Sequence, residues 1–233
     1  MALQFRDSAS NYISNASALG ITDYGLTFAC RFRVLGTQTT YQPLIALNDV
    51  ADSKIIALMA RMDDVGDPLQ MQFNDGTLAY TANSVAAIAD DTWYTAVGIL
   101  EADKIHVHLN GVCVTTAISP GSFPAGFDRF SVGAEERFAL KISNVDIEDV
   151  CVWTVALTEA ETQRYAAGVY SREIRNASIV GQWDGRRTSS PIPANVGTYD
   201  LTVNGTVPTA GTSPTVVYGR ARKIELPEAL RAL

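Results

Sequence analysis

The stretch from Trp93 to Gly111, WYTAVGILEADKIHVHLNG, limits what this chain can fold into more than any other. Two runs with alternating apolar residues, Trp93 to Leu100 and Lys104 to Leu109, are separated by Glu101-Ala102-Asp103 and closed by Asn110-Gly111. A two-residue period sends alternate side chains to opposite faces of a strand, and a short polar break between two such runs marks an antiparallel pair. Asn-Gly is the strongest two-residue hairpin turn because both residues accept positive φ. The chain should therefore fold back after Gly111 onto a third strand, Val112 to Thr116.

The rest of the chain reads in the same way. Leu3-Gln4-Phe5 opens a first strand, Tyr12-Ile13 follows, and Leu26 to Val34 places Leu26, Phe28, Cys30, Phe32 and Val34 on one face, the pattern of a half-buried antiparallel strand. Further strands are expected at Gln42 to Leu47, Ile55 to Met62, Leu69 to Phe73 and Leu78 to Thr81, with reversals at Asp63 to Pro68 and at Asn74-Asp75-Gly76. One short helix is expected within Thr154 to Ala167. Thr158 and Glu161 have the spacing of a capping box, and Gly168 suits the left-handed residue that ends a helix.

These phrases, in this order, resemble a laminin-G-like domain of the concanavalin-A-like superfamily. The resemblance is carried by the early strands, by the Trp93 strand with the "LNG" that ends the next one, and by FDRFSVG at Phe127 to Gly133. It continues through ISNVDIEDVCVW at Ile142 to Trp153, IVGQWDG at Ile179 to Gly185 and TYDLTVNG at Thr198 to Gly205. It implies an all-β fold, a two-sheet antiparallel jelly-roll sandwich with one short α-helix. On this reading residues 1–205 form the domain, and residues 206–233 are a linker and C-terminal arm.

Composition removes some function classes. A formal net charge of −7 argues against a nucleic-acid partner, which needs clustered Lys and Arg. No segment reaches the roughly 18 apolar residues of a membrane span. The chain as given opens without a basic and then apolar leader, so synthesis in the cytoplasm is expected. Cys30, Cys113 and Cys151 stand in strand-like runs with no C-x-x-C pair and are expected to be buried free thiols.

Few residue constellations suggest chemistry. Asp146 and Glu148 share a strand face about 7 Å apart, the range in which carboxyl pairs cleave glycosidic bonds. The phrase lacks the third acid of jelly-roll glycanases, so a solvated face is expected and no catalytic residue is assigned. His106 and His108 also share a face and are expected to meet solvent. The resemblance implies calcium as the metal, and Asp49 to Asp52 and Asp63 to Asp67 are the loops richest in oxygen; neither aligns with the family's ligands, so no metal or other cofactor is assigned. For sugar binding, which needs an aromatic face beside planar polar groups, the candidates are Tyr41, Asn74, Asp75 and Tyr80. In the arm, Arg220, Arg222, Ile224, Leu226 and Leu230 combine positive charge with aliphatic bulk and are candidates for an assembly contact.

The functional expectation is a non-enzymatic structural or interaction protein. An extracellular type of module without a leader and with free thiols points to a bacteriophage virion surface protein, a capsid decoration or accessory protein made in the host cytoplasm. Its partners would be other virion proteins or further copies of itself. The alternative is a carbohydrate-binding lectin or adhesin of a tail or cell-surface assembly, with glycans as partners.

Overall fold

A computed structural model describes residues 2–6, 12–49, 51, 53–135, 141–184, 192, 194–204 and 210–211. In chain order the strands are β1 Ala2–Phe5, β2 Tyr12–Asn15, β3 Leu26–Val34, β4 Tyr41–Asn48, β5 Lys54–Arg61, β6 Pro68–Asp75, β7 Ala79–Ala87, β8 Trp93–Leu100 and β9 Lys104–Leu109. They continue with β10 Val112–Ala117, β11 Arg129–Val132, β12 Ala134–Glu135, β13 Lys141–Ile142, β14 Val145–Trp153, β15 Ile179–Trp183, β16 Val196–Gly197, β17 Thr202–Asn204 and β18 Ala210–Gly211. One helix, α1 Glu159–Ala166, follows β14.

Two antiparallel sheets form a sandwich, as the resemblance implies. One runs β10-β9-β8-β3-β14-β1-β18, and β15 and β16 branch from β14. The other runs β17-β2-β11-β4-β5-β6-β7. Their inner faces share one core in which Phe5, Phe28, Phe32, Phe73, Phe130 and Trp183 are the largest members. Phe130 from one sheet stacks on Trp183 from the other, with ring centroids 5.5 Å apart.

The β8-β9-β10 meander forms as its alternation predicts. Asn110 (φ 50°) and Gly111 (φ 83°) both take the left-handed conformation that a type I′ turn needs. Asn110 Oδ1 also accepts the Thr95 N–H at 2.8 Å, tying the turn to the next strand. The capping box at α1 closes too: Thr158 Oγ1 accepts the Glu161 N–H at 3.4 Å and the Glu161 carboxylate accepts the Thr158 N–H at 2.8 Å.

A bulge at Asp149 splits the work of β14. Val145, Asp146 and Ile147 pair with β1, while Val150 to Trp153 pair with β15 on the same edge. Asp149 sits between them with φ 52°. Its carboxylate turns to the outer face, where α1 and the 3₁₀ turn Ser171–Glu173 pack over an apolar cluster that includes Ala29, Val97, Cys151, Trp153 and Tyr165.

Four expectations need correction. Asp146 and Glu148 do not form a solvated face: Asp146 is buried beneath Arg33 and Arg6, and Glu148 is buried beside it. His108 is buried because α1 covers the outer face of β9 and brings Thr162 Oγ1 to 3.4 Å from its Nδ1. His106 is only partly exposed, held between Glu101 and Thr115. Of the three cysteines, all free, Cys30 and Cys151 are buried but Cys113 is partly exposed on β10, an edge strand.

Within the stretch expected to be linker, Ala210–Gly211 pairs with Ala2 and Leu3 at the end of a sheet. The assembly-contact candidates Arg220, Arg222, Ile224, Leu226 and Leu230 lie outside the described residues.

Candidate functional site on the outer face of the seven-stranded sheet

Side-chain direction on β5 locates the site. Ile56, Leu58 and Ala60 enter the core, whereas Ile55, Ala57 and Met59 join Ala46 in a separate apolar strip on the outer face. Arg61 continues the outward series. Register then adds outward neighbours: Met59 lies opposite Gln70, Ala57 opposite Gln72, Gln70 opposite Asn83, and Arg61 opposite Tyr41.

The outward polar groups are linked across strands. Arg61 Nε and Nη2 donate to the two oxygens of Asp63 at 2.8 and 3.2 Å, and Nη1 donates to Gln70 Oε1 at 2.9 Å. Gln70 Nε2 donates to Asn83 Oδ1 at 2.8 Å. The bond from Asp63 pushes the Arg61 guanidinium above its ordinary pKa, although burial opposes this. Tyr41 packs against the apolar strip beside this chain of bonds.

A cleft of about 190 Å³ opens here, lined by Tyr41, Met59, Arg61, Asp63, Gln72 and Glu135. Glu135 arrives from the small β12-β13 hairpin, which packs on β4. Gln72 has no side-chain hydrogen-bond partner among the described residues and is half-buried. The cleft therefore offers an aromatic ring, an apolar floor, an amide with both donor and acceptor, and carboxylate oxygens held in place. Such a set suits hydroxyl-rich ligands, whose ring carbons pack on an aromatic face while the hydroxyls bond to planar polar groups.

Of the four sugar-site candidates, only Tyr41 is in this cleft. Asn74 lies opposite Ile55 and Tyr41 opposite Arg61, so strand rise puts them about 20 Å apart. Asn74 Oδ1 accepts the Gly76 N–H, and Asp75 Oδ1 accepts the N–H groups of Thr77 and Leu78, so both close the β6-β7 turn. Tyr80 stacks on Phe73 with centroids 6.1 Å apart and packs against the core. Arg61, Gln70, Gln72 and Asn83 were not singled out from sequence. The signal available was the alternation of Gln70 and Gln72 on one predicted strand; Asn83 lies beyond the predicted Leu78 to Thr81 strand.

Two other depressions are occupied by their own contacts. Beside Trp93, about 150 Å³ is lined by Arg31, Thr95 and Asn110, but Arg33 already lies 5.4 Å over the Trp93 ring and Asn110 Oδ1 serves Thr95. In the cleft beneath α1, His106 bonds Glu101 at 2.9 Å and Thr115 at 2.8 Å. In the two loops considered for calcium, three of the four described carboxylates already have partners. Asp49 spends both oxygens on Ser53 and Lys54, Asp63 spends both on Arg61, and Asp64 caps Val65. Ca²⁺ takes six to eight oxygens. Among the described residues no group of three or more His, Cys, Asp or Glu is placed to hold a metal ion, and no helix is long and apolar enough to cross a membrane.

A sequence profile of the concanavalin A-like lectin/glucanases superfamily, of the laminin G type, matches residues 7–163. The chain belongs to that family. No sequence among the curated proteins matches it. Among solved structures it is similar to the native heptameric SAP-like pentraxin of Limulus polyphemus, with a TM-score of 0.60 and 13% identity over 88% of this chain and 92% of that one. It is also similar to a Bacteroides ovatus ATCC 8483 protein named for carbohydrate binding, with a TM-score of 0.64 and 18% identity over 90% of this chain but only 60% of that one. A third is domain 4 of the extracellular arabinanase AbnA of Geobacillus stearothermophilus, in complex with arabinotriose, with a TM-score of 0.52 and 14% identity over 64% and 70%. At these identities the likeness is one of fold.

Proposed function

We propose that the protein is a non-catalytic carbohydrate-binding domain and that the Tyr41 cleft is its site. The observation that carries this reading is Tyr41 beside the Asp63-Arg61-Gln70-Asn83 chain of hydrogen bonds, with the Gln72 amide, unengaged among the described residues, in the same cleft. Relatives of the same fold include a protein named for carbohydrate binding and an arabinanase domain in complex with arabinotriose. None of the relatives named above is a virion protein, so they lend the virion-surface expectation no support and favour its alternative. Binding without hydrolysis fits the one carboxyl pair recognised from sequence, since Asp146 is locked under Arg33 and Arg6 on the other sheet.

The cleft is smaller than the roughly 300 Å³ at which drug-sized sites begin, so it suits a single sugar unit or chain end. The test is a glycan array followed by calorimetry on the best ligand. Tyr41→Ala and Gln72→Ala should each weaken binding about tenfold or more, equivalent to about 1.4 kcal/mol, with the melting temperature held. Unchanged affinity in both variants, or no bound glycan, would refute the proposal.

A further inference from the structure

We infer that β7 is a homodimerisation edge, pairing antiparallel with β7 of a second copy of the chain around a two-fold axis at Thr81. β7 ends the seven-stranded sheet, and among the described residues no strand pairs with its other side. At nine residues it is the longest sheet edge described: β10 has six, and β16, β17 and β18 have two or three. The unpaired N–H and C=O groups of a long edge are a template for another strand, and proteins ordinarily blunt them with charges or proline. AYTANSVAA contains neither.

The β6-β7 turn fixes which groups are free. The Asp75 N–H donates to the Leu78 carbonyl at 3.2 Å, so these two residues are a hydrogen-bonded pair. Bonded and non-bonded pairs alternate along an antiparallel ladder. Tyr80 and Ala82 therefore bond to Phe73 and Met71, and the backbone groups of Ala79, Thr81 and Asn83 point away from β6. All three residues are exposed. A register shift beyond Asn83 bulges the strand and ends the regular edge there.

This edge is complementary to itself. With Thr81 on the axis it faces Thr81 of the second copy, and Ala79 faces Asn83 in both directions, so the outward groups would make about six backbone hydrogen bonds. Thr opposite Thr is a favourable cross-strand pair. In a chain of net charge −7, an uncharged edge lets two copies approach without repulsion. β10, which β7 packs against at the end of the other sheet, is uncharged too. The chain's own undescribed stretches start elsewhere. Residues 7–11, 205–209 and 212–233 adjoin β1, β2, β17 and β18, toward the opposite ends of the sheets, and β2 is five strand spacings from β7, about 24 Å. Residues 136–140 join β12 to β13, which pack on β4, and residues 185–191 follow β15.

Sedimentation velocity on the full chain, from about 1 μM to about 1 mM, should show a reversible shift from monomer to dimer. Thr81→Pro removes an N–H that β6 does not use, so the melting temperature of the dilute protein should hold. Thr81→Lys sets two like charges face to face and leaves the backbone intact. Each variant should weaken dimerisation about tenfold or more. Hydrogen exchange resolved by NMR should show the Thr81 and Asn83 amides gaining protection as concentration rises, with those of Tyr80 and Ala82 protected throughout. A chain that stays monomeric over the whole range overturns the inference. So does a dimer that both variants leave unchanged, which would use another surface such as the arm. Thr81 and Asn83 amides already protected in the dilute monomer would overturn it as well, because another part of the chain would then cover β7.

Discussion

Arg31 and Asp149 face each other across the outer side of the nine-stranded sheet, Nη2 to Oδ2 at 3.9 Å, with both side chains almost fully buried. Asp149 also accepts from Ser171 Oγ at 2.7 Å and from Gln182 Nε2 at 2.9 Å, while Arg31 lies 5.3 Å over the ring of Tyr165 on α1. One carboxylate on a bulge therefore joins β14, β15, β3 and the segment that carries the helix.

Removing that carboxylate should be among the costliest single changes. Asp149→Ala takes one carboxylate away from the buried Arg31 guanidinium, and loss of one partner from a buried pair costs roughly 3 to 5 kcal/mol. Asp149→Asn should cost less, because it keeps an acceptor for Ser171 and Asn tolerates positive φ. Urea unfolding of both variants checks the order; equal stabilities would show that the charge does not matter.

His108 should give the fold a pH dependence. Burial, with a smaller contribution from His106, lowers its pKa from 6.5 to about 4. The unfolded chain therefore takes up a proton near pH 6.5 that the folded chain refuses until about pH 4. The His108 contribution is fully present above that upper value, is lost as pH falls through the window, and is constant below it. It amounts to at most about 3 kcal/mol. Thermal melts of wild type and His108→Gln across the window should converge as pH falls.

The thiols should separate by reactivity. Burial, reinforced by the Asp149 charge, pushes the Cys30 and Cys151 thiols up, and thiols kept protonated are inert. Cys113 is partly exposed, with Sγ 3.9 Å from His106 Nδ1. Titration of the folded protein with a disulfide reagent should show one fast thiol, lost in Cys113→Ser, and the other two only after unfolding. Rapid modification of Cys30 or Cys151 in the folded state would contradict this.

Gly181 should tolerate no side chain. A Cβ there would collide with the Trp183 ring, which is 1% exposed and stacked on Phe130 between the sheets. Gly181→Ala should destabilise by about 1 to 3 kcal/mol or more, readable in the urea midpoint. A neutral outcome would mean the indole has room that the packing denies it.

What the sequence determined by itself is local. Alternation from Trp93 to Leu109 set the strands, the left-handed tolerance of Asn110-Gly111 set the turn, and Thr158 with Glu161 started the helix, each through residues a few positions apart. What only the tertiary structure decided is which faces are covered and which strands lie side by side. Asp146 and His108 are buried because Arg33, Arg6 and α1 come from elsewhere in the chain, and no pattern within β14 or β9 encodes that. The Tyr41 cleft draws on β4, β5, β6 and the β12-β13 hairpin, and non-local register alone puts Arg61 opposite Tyr41 and Gln72 opposite Ala57. The same register sends Asn74 and Asp75 to the far end of β6, because a strand separates residues by its length even when it joins them on one sheet.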